Sequence, residues 1–64
     1  MNINLFRAEL AKNGLNQKQL AKAIGIAEST LYRKMKNNSF GINEVQSIVS
    51  ILHIENPVPI FFND

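Results

Sequence analysis

The sequence predicts an all-α fold, a compact bundle of about five short helices. Apolar side chains recur at helical spacing in short segments, and glycine or asparagine residues separate these segments. No alternating run of apolar and polar residues is long enough to predict a strand. The 64 residues allow one domain, 1–64, with one small core, and without cysteine that core depends on helix packing alone.

Residues that start or stop a helix bound the first two predicted helices. The first helix runs from Asn4 to about Lys12 and ends at Asn13-Gly14. Asn16 is the expected N-cap of the second helix, which ends at Gly25 after about two turns. Glycine tolerates the left-handed backbone that a sharp turn into the next helix requires. The small Ala21 then allows the two helices to cross closely.

Three more helices follow. The third has an apolar pattern from Ile26 through Met35, and its expected N-cap, Ala27, costs about 1 kcal/mol relative to serine or threonine. We expect Gly41 to cap the fourth helix, with Glu44 returning a bond to the backbone at the cap. Asn56-Pro57 predicts a short fifth helix with proline at its first position. The residues expected in the core from these helices and the preceding two include Leu15, Leu20, Ile24, Leu31, Val45, Ile48, Val49 and Leu52.

The charges are distributed unevenly along the chain. All seven lysine and arginine residues lie in the first 36 positions, and the net charge is +2. Through Asn38 there are two acidic residues, whereas from Ser39 onward there are three and no basic residue. Such asymmetry favours a large anion, most commonly nucleic acid, as a partner. On charge alone, a solvated basic face without a partner is an equally good interpretation.

Residues 17–36 have the pattern of a helix-turn-helix. Asn16-Gln17, Leu20-Ala21, Gly25, Ile26 and Leu31 resemble the corresponding residues of lambdoid phage repressors and Cro-like proteins, the broad XRE-type class. The likeness covers nearly the whole chain and implies a lambda-repressor-like DNA-binding domain. It further implies a transcriptional regulator of a phage or prophage that occupies an operator and blocks polymerase.

The resemblance also implies which residues bind DNA. Residues 28–36 would form the recognition helix, with Glu28, Ser29 and Arg33 facing base edges and Gln17 near the DNA backbone. The other implied DNA-binding residues flank the bases or approach phosphates: Lys18, Thr30, Tyr32, Lys34, Lys36, Asn37 and Asn38. For Glu28, base reading and a structural role at the helix start have about even odds.

Several positions depart from the family pattern. Leu10 and Met35 stand where many members have an arginine and a glutamate that form an ion pair, so we expect the two side chains to touch across the core. Lys34 replaces a residue that is usually apolar, and this shifts the apolar seam of the third helix by one position. Ala27 and Gly41 are weaker caps than the usual residues.

The family precedent is a homodimer on a pseudo-palindromic operator in double-stranded DNA, with half-sites one helical turn apart. Ile60, Phe61 and Phe62 are the candidate interface, because adjacent residues of a short helix cannot both face one core. Alternatively, the fifth helix only covers the core. Two other functions stay open: an antirepressor-like protein-interaction module that uses this C-terminal surface, and nucleoid-type DNA binding with little sequence preference.

Other classes have little support in the sequence. There is no Ser/His/Asp set, paired acids or glycine-rich phosphate loop, so we predict neither an enzyme nor a cofactor. We expect the single histidine, His53, to cap a helix or lie on the surface rather than bind a metal. Neither a signal peptide nor an apolar run of about 18 residues is present, which predicts a cytoplasmic protein of a bacterial or phage-infected cell. Asn63-Asp64 has the polar character of a natural terminus.

Overall fold

The computed structural model describes residues 1–62 and confirms the all-α prediction. Within that range the helices are α1 (Ile3–Lys12), α2 (Gln17–Ile24), α3 (Glu28–Asn37), α4 (Ile42–Leu52) and α5 (Val58–Phe61). The predicted terminal pair, Asn63-Asp64, lies outside the described residues. Helix α2 packs against α3 and α4, and α1 packs against α5. None of the described helices is long and apolar enough to cross a membrane.

Asparagine side chains start three of the helices. Asn2 accepts a hydrogen bond from the amide of Leu5 at 3.0 Å, so α1 begins at Ile3, one residue earlier than predicted. The expected cap of α2 is confirmed, because Asn16 and Gln19 each accept a bond from the other's amide at 2.8 and 2.9 Å. Helix α5 begins at Val58, one residue later than predicted. Asn56 still accepts from the amide of Val58 at 3.2 Å, as expected of the cap, and Pro57 has helical backbone angles (φ −75°, ψ −15°).

The first four helices all end with the same backbone geometry. A residue with positive φ follows each helix, and the next amide donates to the carbonyl five residues before it, at 2.9 to 3.0 Å. These Schellman motifs bind carbonyls that a helix end otherwise leaves unpaired, and they turn the chain sharply. The residues with positive φ are Gly14 (68°), Gly25 (81°), Asn38 (50°) and His53 (53°). The expected cap position of His53 is thus confirmed.

The core contains residues from all five helices and from the loop before α5. Leu10 and Met35 are both buried in it, and direct contact between them stays a prediction. Leu15, Ile24 and Val49 are only partly buried against it. The fully or nearly fully buried residues are Phe6, Leu10, Leu20, Ala21, Leu31, Met35, Val45, Ile48, Leu52, Ile54, Ile60 and Phe61.

Three phenylalanines join α1, the start of α4 and α5. The ring centroids of Phe6, Phe40 and Phe61 lie 5.9 to 6.3 Å apart, with both rings edge-on to Phe61. The amide of Asn2 donates to the carbonyl of Ile60 at 2.8 Å, and the side-chain amide of Asn13 donates to the carbonyl of Leu52 at 2.9 Å. These contacts fix α1, α4 and α5 to one another, and this frame supports the α2–α3 corner.

The last helix corrects the expected composition of the C-terminal surface. Ile60 and Phe61 are 4% and 2% exposed, so they belong to the core and are not available to a second subunit. Phe62 is 56% exposed. One of the two adjacent rings is thus exposed, as expected, but the stated reason is wrong, because the adjacent Ile60 and Phe61 both face the core.

Candidate nucleic-acid interface

Helix α3 has one buried and one exposed side. Leu31 and Met35 point into the core, and the small Ala21 of α2 is buried in the same cluster. Gly25 makes the turn between the two helices with φ at 81°, and a Cβ there would meet none of the described atoms within 4 Å. The turn therefore needs glycine for its backbone conformation rather than for space.

The exposed side of α3 brings together five of the predicted DNA-binding residues. At 100° per residue, positions 28, 29, 32, 33 and 36 lie within one arc of about 140° of the helix, and the buried positions 31 and 35 lie outside this arc. We call this surface the recognition strip; its residues are Glu28, Ser29, Tyr32, Arg33 and Lys36, all exposed. It offers a carboxylate, a hydroxyl, an aromatic ring, a guanidinium and an ammonium group to a partner.

The other predicted site residues lie around the recognition strip, apart from Lys34. Thr30 is half-buried in the first half of α3. Asn37 and Asn38 end that helix and are exposed. Gln17 and Lys18 occupy the first two positions of α2, where backbone N–H groups lack helical partners.

Lys34 is bound to α4. Its ammonium group donates to both carboxylate oxygens of Glu44 at 2.7 Å, and both side chains are 24% exposed. Glu44 also accepts from the amide of Gly41 at 2.9 Å, which confirms the expected bond to the cap backbone. The hydrogen bonds from Lys34 and then from Gly41 lower the pKa of Glu44 from its ordinary value of 4.5. The ammonium expected near phosphate is thus already paired within the domain.

A groove at the start of α3 contains a residue that the sequence interpretation missed. It has a volume of about 380 Å³, and Arg7 of α1 lines it together with Gln17 and Glu28. Its remaining lining residues are Leu10, Ala11, Leu15 and Asn16. We call it the Arg7 groove. Arg7 could not be recognised from a motif, because α1 reaches the helix-turn-helix only through tertiary packing.

Most basic groups are available to an anion. Within residues 1–62 the ion pairs are Lys34 with Glu44 and Lys12 with Glu9, the latter at 3.8 Å. No carboxylate oxygen of the described chain lies within 4.0 Å of the charged groups of Arg7, Lys18, Lys22, Arg33 and Lys36. Charge-based binding to a polyanion therefore requires no ion pair of the domain to break.

A second groove, of about 510 Å³, lies between α2 and α4 and has a different chemistry. Its lining contains uncharged residues only: Ala23, Asn43, Gln46, Ser47, Ser50 and Ile51. Within residues 1–62 no cluster of histidine and acidic residues could hold a metal ion. The groove between α2 and α4 therefore lacks the charged residues that the Arg7 groove has.

The steep corner of α2 and α3, with an exposed polar strip on the second helix, defines a helix-turn-helix DNA-binding domain. A family model described as "Bacterial regulatory protein, Fis family" matches residues 6–37, half of the chain, from within α1 to the last residue of α3. The chain therefore belongs to the Fis family of bacterial regulatory proteins. The match supports the helix-turn-helix and does not single out the repressor and Cro-like class. Comparisons with curated proteins and with solved structures gave no match.

Proposed function

We propose that the protein is a sequence-specific transcriptional regulator, of the phage or prophage repressor and Cro-like kind, that acts in the cytoplasm of a bacterial or infected cell. It places α3 in the major groove of an operator and blocks polymerase there. The observation that carries this proposal is the recognition strip, which stands on a helix-turn-helix corner and whose five residues are all exposed. Base edges are read by side chains presented in this way.

The chemistry of the strip suits base reading. Arg33 can donate two hydrogen bonds to guanine, Glu28 can accept from the amino group of cytosine, and Ser29 can bond to either type of edge. Tyr32 can pack against a sugar or a thymine methyl group. A binder that only neutralised phosphates would not require a glutamate at the start of its recognition helix, since the carboxylate repels the DNA backbone.

Phosphate contacts would come from around the strip. Gln17, Lys18, Lys36, Asn37 and Asn38 are the candidates, and Thr30 would flank the bases. We leave Lys34 out of this set, because its ammonium group is paired with Glu44 at 2.7 Å. Losing that pair on DNA binding would cost part of what the phosphate contact contributes.

A homodimer on a pseudo-palindromic operator follows from the same proposal. Phe62 is the ring that remains exposed at the C-terminal side, and Val58, one turn before it, is exposed as well. Apolar residues exposed in this way favour an interface with a second copy. Two α3 helices spaced one DNA turn apart would then read two half-sites.

The same exposed apolar residues favour a second candidate, a protein-interaction module with an antirepressor-like function. In this case the partner of Val58 and Phe62 would be another protein, and the recognition strip would bind no specific sequence. The two candidates predict different effects of two substitutions. In the first, Arg33→Ala removes specific DNA binding; in the second, Phe62→Ser removes binding to the protein partner.

The test is selection of the purified protein on a randomised duplex library at near-physiological salt, followed by sequencing. We expect an inverted repeat with half-sites about one helical turn apart, lost in Arg33→Ala. The control is Lys12→Ala, which removes one positive charge outside the recognition strip. Retention that is salt-sensitive but unselective would contradict the proposal in favour of nucleoid-type binding. If no DNA is retained and Phe62→Ser abolishes binding to a protein partner, the second candidate stands instead.

A further inference from the structure

The Arg7 groove joins three helices at one end of the recognition strip. Arg7 comes from α1, Gln17 is the first residue of α2, and Glu28 is the first residue of α3. Leu10, buried in the core, and the half-buried Leu15 form its apolar part. A charged side chain on such a surface is held at its stem and directs its polar end outward.

The groove contains opposite charges that have no partner at close range. Within residues 1–62, neither Arg7 nor Glu28 has an oppositely charged group within 4.0 Å. Lys12 and Lys34, in contrast, are already paired with Glu9 and Glu44. Arg7 and Glu28 are exposed and line the same groove of about 380 Å³. A single partner in this groove can therefore contact both side chains.

Glu28 poses an electrostatic problem for a DNA-binding domain. It is the single acidic residue of α3, and at the start of this helix its carboxylate would approach a strongly negative backbone. A guanidinium has five donors and can bind a carboxylate while it also donates to a phosphate or to a neighbouring amide oxygen. Arg7 supplies this guanidinium in the groove, and Gln17 supplies a neutral side-chain amide beside it.

We infer that Arg7 is a specificity-determining residue that acts through Glu28. On the operator, Arg7 pairs with the Glu28 carboxylate, offsets its repulsion from the phosphates and orients its free oxygen toward a base edge, where the amino group of cytosine is the matching donor. The side-chain amide of Gln17 bonds to Arg7, to Glu28 or to the DNA backbone. This inference rests on the proposed function, and it assigns to α1 a part in base selection.

The test uses the operator found by the selection above, together with duplexes that differ from it at one base pair. Arg7→Ala and Glu28→Ala should each lose the preference at the same base pair, by about tenfold, which lies within the range for a good base contact. Arg7→Lys should retain only part of this base preference, because an ammonium group lacks the planar set of donors that a guanidinium has. Circular dichroism and thermal unfolding of each variant check the fold, and Arg7→Gln serves if Arg7→Ala is unstable.

Two controls separate this effect from simple loss of charge. Lys12→Ala removes the same charge from the same helix but does not line the groove, so it should leave the base preferences unchanged. In a protein that already carries Glu28→Gln, adding Arg7→Ala should change the base preferences no more than adding Lys12→Ala does. The reason is that Arg7 and Glu28 act as a pair.

The possible results distinguish this inference from the proposed function. An operator that is selected by the wild type, with its base preferences intact in Arg7→Ala, would overturn the inference and leave the proposed function standing. So would base preferences that do not depend on Glu28. If the wild-type protein selects no sequence at all, the proposed function fails, and the inference fails with it.

Discussion

The ammonium group of Lys34 donates to both carboxylate oxygens of Glu44 at 2.7 Å and thereby joins α3 to the start of α4. Glu44 also accepts from the amide of Gly41, so one carboxylate has two roles. It closes the first turn of its own helix, α4, and it binds α3 through Lys34. This arrangement accounts together for two positions, 34 and 41, that differ from the repressor and Cro-like pattern. The side chain of Lys34 is only 24% exposed, and Glu44 supplies the opposite charge that such a position requires. Gly41 has no side chain to cap the helix, so the bond at the cap is the one that its amide donates to Glu44.

Stability should depend on the ionisation of Glu44. Its pKa in the folded protein is lowered, so the pair contributes stability above the ordinary carboxyl value of 4.5, and the contribution is lost as the pH falls through the folded pKa. At pH 7 we expect Glu44→Gln to lower the free energy of unfolding by about 0.5–1 kcal/mol, the range for a partly exposed pair. Urea unfolding at several pH values should show this difference shrinking toward zero in acid. A difference that persists unchanged at pH 2 would contradict the assignment.

Lys34 and Lys36 should differ in their effect on DNA binding. Because Lys34 is already neutralised by Glu44, Lys34→Met should leave the slope of log K against log salt nearly unchanged. Lys36→Ala, on the exposed side of the same helix, should reduce that slope by about 1. Titration of a labelled operator duplex at four salt concentrations measures both slopes. Equal reductions would show that Lys34 leaves Glu44 to bind phosphate.

The local features of this fold were predictable from sequence because they depend on neighbouring residues. Asn16 and Gln19 cap a helix through a spacing of three residues, and Gly25 supplies a left-handed turn wherever it stands. The exposed side of α3 likewise follows from helical periodicity once Leu31 and Met35 are assigned to the core. Sequence patterns of this kind need no knowledge of tertiary structure.

Three of the features that the sequence interpretation missed are tertiary. Glu44 binds Lys34 across ten positions, and Asn13 reaches the carbonyl of Leu52 across thirty-nine. Arg7 lines the same groove as Glu28 only because α1 packs beside the helix-turn-helix. In each case the partner is defined by helix packing, so residue type and spacing contained no signal for it.

Within residues 1–62, two non-glycine residues with positive φ offer sites for stabilisation. Asn38 and His53 end α3 and α4 at φ values of 50° and 53°, a conformation in which most side chains are strained. We expect His53→Gly to raise the free energy of unfolding by about 0.5–1 kcal/mol, and Asn38→Gly by less, since asparagine tolerates this region better. Gly25→Ala is the reverse control and should destabilise by about 1 kcal/mol through backbone strain alone. Thermal and urea unfolding test all three; a loss of stability in His53→Gly would mean that its side chain has another structural contact.

We expect substitutions of the adjacent Phe61 and Phe62 to have different effects, on folding for Phe61 and on assembly for Phe62. Phe61 is 2% exposed and packs edge-on against Phe6 and Phe40, so Phe61→Ala should lower the free energy of unfolding by about 3–5 kcal/mol. Phe62 is 56% exposed, and Phe62→Ser should change the stability of the monomer by less than about 1 kcal/mol. If a second copy covers Phe62, the same variant should shift sedimentation from dimer to monomer and weaken binding to the two-half-site operator far more than to a single half-site. Unchanged sedimentation and unchanged operator affinity in Phe62→Ser would exclude this ring from the dimer contact, whereas a large loss of monomer stability would show that Phe62 belongs to the core.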